Sequence, residues 1–232
     1  MSRCFIDVGH GFGNAVANRL DPGASGSGTT EAAVVRQVAN ALIPKLKALG
    51  IDASLAPDGN IATVRKPWQR KTLVKGDLFV SLHCNSGTAS GTSVYFPADK
   101  THLHDDADQL AADIASKLGT RNEGGRPDTE TAVKYVGVLH ANPDANQLLV
   151  ELVRIGNATD VTAALERGSD AVAYGIARLL NLPTSTMTQE QKEAWDKLVA
   201  MKVYSSFTKQ GTPVTTTELA VFLARLLAAL GK

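Results

Sequence analysis

The chain has 232 residues, 44% apolar and 20% charged, with 24 Lys and Arg against 23 Asp and Glu. This composition excludes a disordered chain, and a net charge of +1 offers no electrostatic footprint for nucleic acid. No apolar run approaches the ~20 residues of a membrane-spanning helix, so no membrane insertion is expected.

Residues 4–8 read as a strand, and the sequence enters it without a basic region, an apolar run and a cleavage site. Synthesis in the cytoplasm without a signal peptide is therefore expected, and two cysteines, Cys4 and Cys84, make neither a disulfide scaffold nor a thiolate zinc site. Residues 30–49 form a helix, with Val34, Val38, Leu42, Leu46 and Leu49 on one face, Thr29 or Thr30 as cap and Gly50 past its end. Pro44 is expected to kink or interrupt it. Strands follow at 52–56, 78–82 and 93–96, with a polar, basic stretch over 60–75.

Asp105 or Asp106 caps a second helix carrying Leu110, Ile114 and Leu118. Residues 120–132, rich in glycine and charge, read as a mobile loop. Strands at 136–139 and 147–152 and a helix over 161–180 complete an alternation that implies an α/β sheet with helices on its faces. The stretch 183–188 is proline-bearing and polar, and suits a linker. Beyond it, 189–232 reads as a small α-helical module whose second helix opens on Thr215-Thr216-Thr217-Glu218, a capping box.

Three polar residues stand where α/β sheets place function, at strand ends and helix starts. His10 follows the first strand, Glu31 opens the first helix, and His83 terminates the strand at 78–82. Two imidazoles, a carboxylate and a vacant fourth position make up the ligand set of a hydrolytic zinc site, which needs a further carboxylate to manage protons. Glu151, at the end of Leu148-Leu149-Val150, is placed for that task. His102 and His104 read instead as a solvated helix start. Neither Gly9-His10-Gly11-Phe12-Gly13 nor residues 23–28 complete a nucleotide motif.

Asp7-Val8-Gly9-His10-Gly11, Asp21-Pro22-Gly23-Ala24, Glu31, Ser81-Leu82-His83-Cys84-Asn85 and Glu151, in that order, resemble the zinc-dependent N-acetylmuramoyl-L-alanine amidases (type-3 amidase family) over residues 3–180. The resemblance implies a mixed, mostly parallel sheet of about six strands flanked by helices, phosphorylase/hydrolase-like, as a catalytic domain over 1–182. It implies one Zn²⁺ held by His10, Glu31 and His83, with Glu151 as general base and acid. The reaction it implies is hydrolysis of the amide joining the lactyl group of N-acetylmuramic acid to L-alanine in bacterial peptidoglycan. Arg70 is favoured over Arg65 for the family's arginine, and Arg70, Asn85 and His140 are expected substrate contacts. The chain departs from the family in its loop over 12–20, in Cys84, and in Val153-Arg154 where Gly-Phe is usual. The tail resembles a small helical wall-binding unit, with core closure or self-association through its Leu/Phe stripe as alternatives. Host lysis by a phage endolysin is the expected setting; a bacterial cell-separation or spore-lysis amidase and a zinc carboxypeptidase-like peptidase are the rivals.

Overall fold

The computed structural model describes residues 3–12 and 20–182. The expected linker at 183–188 and helical module at 189–232 lie outside the described residues. Six strands form one sheet: β1 (Arg3–Val8), β2 (Asp52–Leu55), β3 (Leu78–Asn85), β4 (Thr92–Phe96), β5 (Asn122–Pro127) and β6 (Asn146–Arg154). Their spatial order is β2-β1-β3-β6-β4-β5. Every neighbouring pair is parallel except β6 with β4, so the expected mixed, mostly parallel sheet is what the chain builds.

Side-chain alternation splits the sheet into two faces. Cys4, Ile6 and Val8 of β1, Leu78, Val80 and Leu82 of β3, and Leu148 and Val150 of β6 enter the larger core. That core is covered by α1 (Glu31–Ala48), α3 (His104–Leu118) and α4 (Ala158–Leu179). Phe5, Phe79 and Leu149 point the other way, into a smaller core with Leu73, Val138, Leu139 and Trp68. The short α2 (Lys66–Thr72) lies in the chain between β2 and β3. Among the described residues no helix is long and apolar enough to cross a membrane.

Thr30 caps α1, its hydroxyl accepting from the Ala33 N–H at 3.3 Å, and the helix runs unbroken through Pro44. Both Pro44 and Asn40, whose carbonyl loses its helical donor, are exposed, so water satisfies the group that a buried proline would orphan. Neither Asp105 nor Asp106 caps α3: Leu103 precedes it without a side-chain cap, and both aspartates lie in the first turn, favourable to the helix dipole. The segment expected as a mobile loop at 120–132 instead contains β5, paired with β4, and a 3₁₀ turn at Asp128–Glu130. Backbone pairing with β4 makes this edge segment a strand, although it has no alternating apolar pattern to announce it. The strand expected at 136–139 is a 3₁₀ turn, Gly137–His140, that buries Val138 and Leu139 in the smaller core.

Candidate metal centre and catalytic cleft

The carboxyl ends of β1, β3 and β6 meet at one edge of the sheet, and the turn after β1 puts His10 there with a positive φ of 61°. Arg65 holds this turn, donating from Nη2 to the His10 carbonyl at 2.8 Å and from Nη1 to Asp7 Oδ2 at 3.2 Å, with Asp7 Oδ1 3.0 Å from the same nitrogen as an ion pair. Ser81 Oγ donates to Asp7 Oδ2 at 2.6 Å, and all three side chains of this support are buried. A charged pair this far from water is tolerated because the Asp7 carboxylate meets both the guanidinium and the Ser81 hydroxyl.

Glu31 is the hub of the site. It is 4% exposed, at the first position of α1. Its Oε1 lies 3.2 Å from His10 Nε2 and 2.8 Å from His83 Nδ1, and accepts from the Cys84 N–H at 3.0 Å. Its Oε2 accepts from the Ala24 N–H at 3.0 Å. His10 turns its other nitrogen, Nδ1, to Asp21 Oδ2 at 2.9 Å, which fixes the ring and leaves Nε2 aimed at Glu31. Two glycines make room. A Cβ on Gly23 (φ +67°) would stand 2.6 Å from Glu31 Oε2 and 2.7 Å from the His10 ring, and one on Gly9 would stand 2.5 Å from His83 Nε2.

The three donor atoms lie within 4.8 Å of one another, and among the described residues they are the one group of three or more such side chains that could hold a metal ion. Tetrahedral ligands about 2.0–2.1 Å from a zinc ion stand roughly 3.3 Å apart, and Glu31 Oε1 stands 3.2 and 2.8 Å from the two imidazole nitrogens. Burial opposes charge on both partners, yet their mutual bonds prevail: Glu31 is held well below the usual carboxylate range by His10 and His83, and His10 rises to about 9 beside Glu31 and Asp21. A cation entering this set therefore displaces a proton from His10.

Glu151 is in register with His83 on the neighbouring strand, so both side chains face the same side. Its Oε2 is buried and has no hydrogen-bond partner among the described residues. Burial pushes its pKa up to about 7, with Glu31 adding to the rise and His83 opposing it. The carboxyl is thus poised to gain or lose a proton near neutrality.

The other expected contacts divide. Asn85, two residues beyond His83 on β3, shares that face, while its Oδ1 accepts from the Ser86 N–H at 2.8 Å. Arg70 is exposed on α2 and is not brought to the cluster; the arginine beneath His10 is Arg65, turned inward by a π-helical turn over Ile61–Arg65. His140 sits at the opposite end of β6, where its Nε2 meets Asp128 Oδ2 at 2.7 Å and its ring stacks on Tyr135. Asp128 follows Pro127, the β5 partner of Phe96, whereas Glu151 pairs with Ser93 at the other end of β4. His140 therefore belongs to a structural corner remote from Glu151. His102 and His104 are exposed and outside the cluster. Asp21 and Asp7, given no role from sequence, carry the two supports of His10; their one signal was membership of the motifs around Gly9 and Gly23.

A family model described as N-acetylmuramoyl-L-alanine amidase matches residues 4–181. The uncharacterized protein YqiI of Bacillus subtilis is 30% identical over 184 residues, 74% of this chain and 82% of its own length. The N-acetylmuramoyl-L-alanine amidase LytC of the same organism is 31% identical over 166 residues, 68% of this chain but only 30% of LytC. Among solved structures, the catalytic domain of the amidase CwlV from Bacillus (Paenibacillus) polymyxa var. colistinus has a TM-score of 0.60 at 20% identity, covering 79% of this chain and all of that one. The amidase AmiC2 of Nostoc punctiforme gives 0.60 at 23%, covering 77% and 97%. The catalytic domain of the CD27L endolysin gives 0.57 at 19%, covering 78% and 98%. With the family model spanning the whole described sheet and its helices, the chain belongs to the N-acetylmuramoyl-L-alanine amidase family.

Proposed function

We propose that the chain is a zinc-dependent peptidoglycan hydrolase that cleaves the amide between the lactyl group of N-acetylmuramic acid and L-alanine of the stem peptide. The observation that carries this is the convergence of His10 Nε2, Glu31 Oε1 and His83 Nδ1 beside the unpartnered oxygen of Glu151. Those three residues would hold the ion. When bound, zinc supplies Lewis acidity, polarising the scissile carbonyl and making water acidic enough to ionise near neutral pH. Glu151 takes the proton of the water that adds to the carbonyl carbon. As the C–N bond breaks it passes that proton to the nitrogen, releasing L-alanine as a free amine and leaving a carboxylic acid on the lactyl group, which gives up its remaining proton to solvent.

Asp21 Oδ2, 2.9 Å from His10 Nδ1, favours a proton on that nitrogen and so frees Nε2 for the ion. Asp21→Asn is expected to weaken zinc affinity about 10- to 100-fold, read by competition with a chromophoric chelator; unchanged affinity would remove Asp21 from the support.

The function is tested by metal analysis and turnover of purified wall before and after chelation. New L-alanine amino ends that vanish with the metal and return on adding zinc are the expected result. Shortened stem peptides would instead identify a peptidase, and undiminished cleavage by chelated, metal-free protein would overturn the zinc reading. Host lysis after release from the cytoplasm is the setting we propose. The likeness to LytC favours a second, a bacterium acting on its own wall.

A further inference from the structure

Strand β6 carries an irregularity immediately after the catalytic carboxylate. Glu151 pairs with His83, but Arg154 pairs with Asn85: three residues on one strand against two on the other. Leu152 and Val153 both turn into the larger core, so the extra residue is absorbed between them. Without this bulge Arg154 would point toward the helices; with it, Arg154 returns to the face of His83, Asn85 and Glu151. The charge on Arg154 is felt at Glu151, where it favours the ionised form.

Arg154 is held by more than its strand. Its Nη2 donates to both oxygens of Glu123, at 3.0 and 2.9 Å, and its Nη1 to the Ser86 carbonyl at 3.2 Å. Glu123 is only 4% exposed at its side chain and also pairs with Arg121, whose side chain is 67% exposed. Burial opposes charge on Glu123, but the two guanidinium groups keep it ionised. One carboxylate thus orients two guanidinium groups and leaves one surplus positive charge at the end of the sheet that bears Glu151. Arg154 Nε is also buried without a partner among the described residues.

A pair whose task was only to pin edge strand β5 would need one arginine and no surplus charge. Distance supplies the rest of the argument. Two strand positions separate Glu151 from Arg154 in register, about 6.6–7 Å. The amine released beside Glu151 belongs to L-alanine, and one residue of extended peptide spans roughly 3.3–3.6 Å, so a carboxylate on the next residue lies about 5–7 Å from that amine. We infer that Arg121 and Arg154, held by Glu123, form a subsite that reads a free carboxylate on the stem-peptide residue following L-alanine. This rests on the amidase reading above and deepens it: Arg121 contributes exposed donors, Arg154 sets the direction, and Glu123 is the positioning residue.

The test uses two soluble N-acetylmuramoyl-peptides that differ only in a carboxylate or a carboxamide on that second residue. The full-length wild type is expected to favour the carboxylate about tenfold in kcat/KM. Arg121→Gln, at an exposed position, is expected to bring the ratio near one by losing rate on the carboxylate substrate alone. Arg154→Gln is expected to do the same where it folds, and added salt to narrow the wild-type preference. Equal rates in the wild type, or a preference that survives Arg121→Gln, would overturn the subsite while leaving the amidase reading intact. Cleavage of neither peptide would overturn both.

Discussion

Glu151→Gln is expected to lower turnover on purified wall by about 10²- to 10⁴-fold while the protein still binds one metal ion. The amide fills the same space beside His83 but can neither take a proton from water nor hand one to the leaving nitrogen. The same change is expected to stabilise the metal-free protein. Burial raises wild-type Glu151 to about 7 when folded, against 4.5 for an unperturbed carboxyl, and its Oε2 has no partner among the described residues. A folded pKa raised in this way costs the folded state nothing below pH 4.5 and most above pH 7. The two proteins should therefore have equal denaturation midpoints at low pH. The variant should gain on the order of 2 kcal/mol as pH rises through 7. Measurement without metal matters, because a neighbouring dication favours the ionised carboxylate. Near-normal turnover would remove Glu151 from the chemistry; an advantage over the wild type no larger at pH 8 than at pH 4.5 would show that the wild-type carboxylate is solvated.

The His10, Glu31 and His83 cluster and the neighbouring Glu151 could be located from sequence because each stands at a boundary that periodicity marks. His10 follows an apolar strand, Glu31 is the first residue after a threonine cap, and His83 and Glu151 end buried runs on adjacent strands. Other features of the fold carry no such marker. β5 presents Asn-Glu-Gly-Gly-Arg-Pro, a string that looks like a loop and is a strand because β4 offers it a ladder. Arg65 and Arg70 lie five residues apart, and only the π-helical turn before α2 decides which one turns inward. His140 follows an apolar run with a strand's pattern, yet it ends a 3₁₀ turn and is gripped by Asp128, twelve residues earlier. The bulge at Leu152 and Val153 is equally silent: two adjacent apolar residues look like ordinary strand filling, yet they decide where Arg154 points.

Arg65→Met is expected to cost roughly 3–5 kcal/mol of folding stability, a large share of what a domain of this size possesses. The reason lies in what remains rather than in what is lost. Arg65 and Asp7 have side chains 3% and 2% exposed, so removing the guanidinium leaves a carboxylate in the interior beside the Ser81 hydroxyl and without its opposite charge. Methionine matches the aliphatic stem of arginine and leaves no large void, which confines the effect to the charge. Denaturant titrations of Arg65→Met, Asp7→Asn and the double variant separate the contributions. The double variant buries no unpaired charge and can keep the Ser81 bond, so most of the stability should return. Metal affinity should not return with it, because the His10 carbonyl still lacks the donor that held its turn at a positive φ. A loss below about 1 kcal/mol in Arg65→Met, or full zinc affinity in the double variant, would show that the buried pair does not govern where His10 stands.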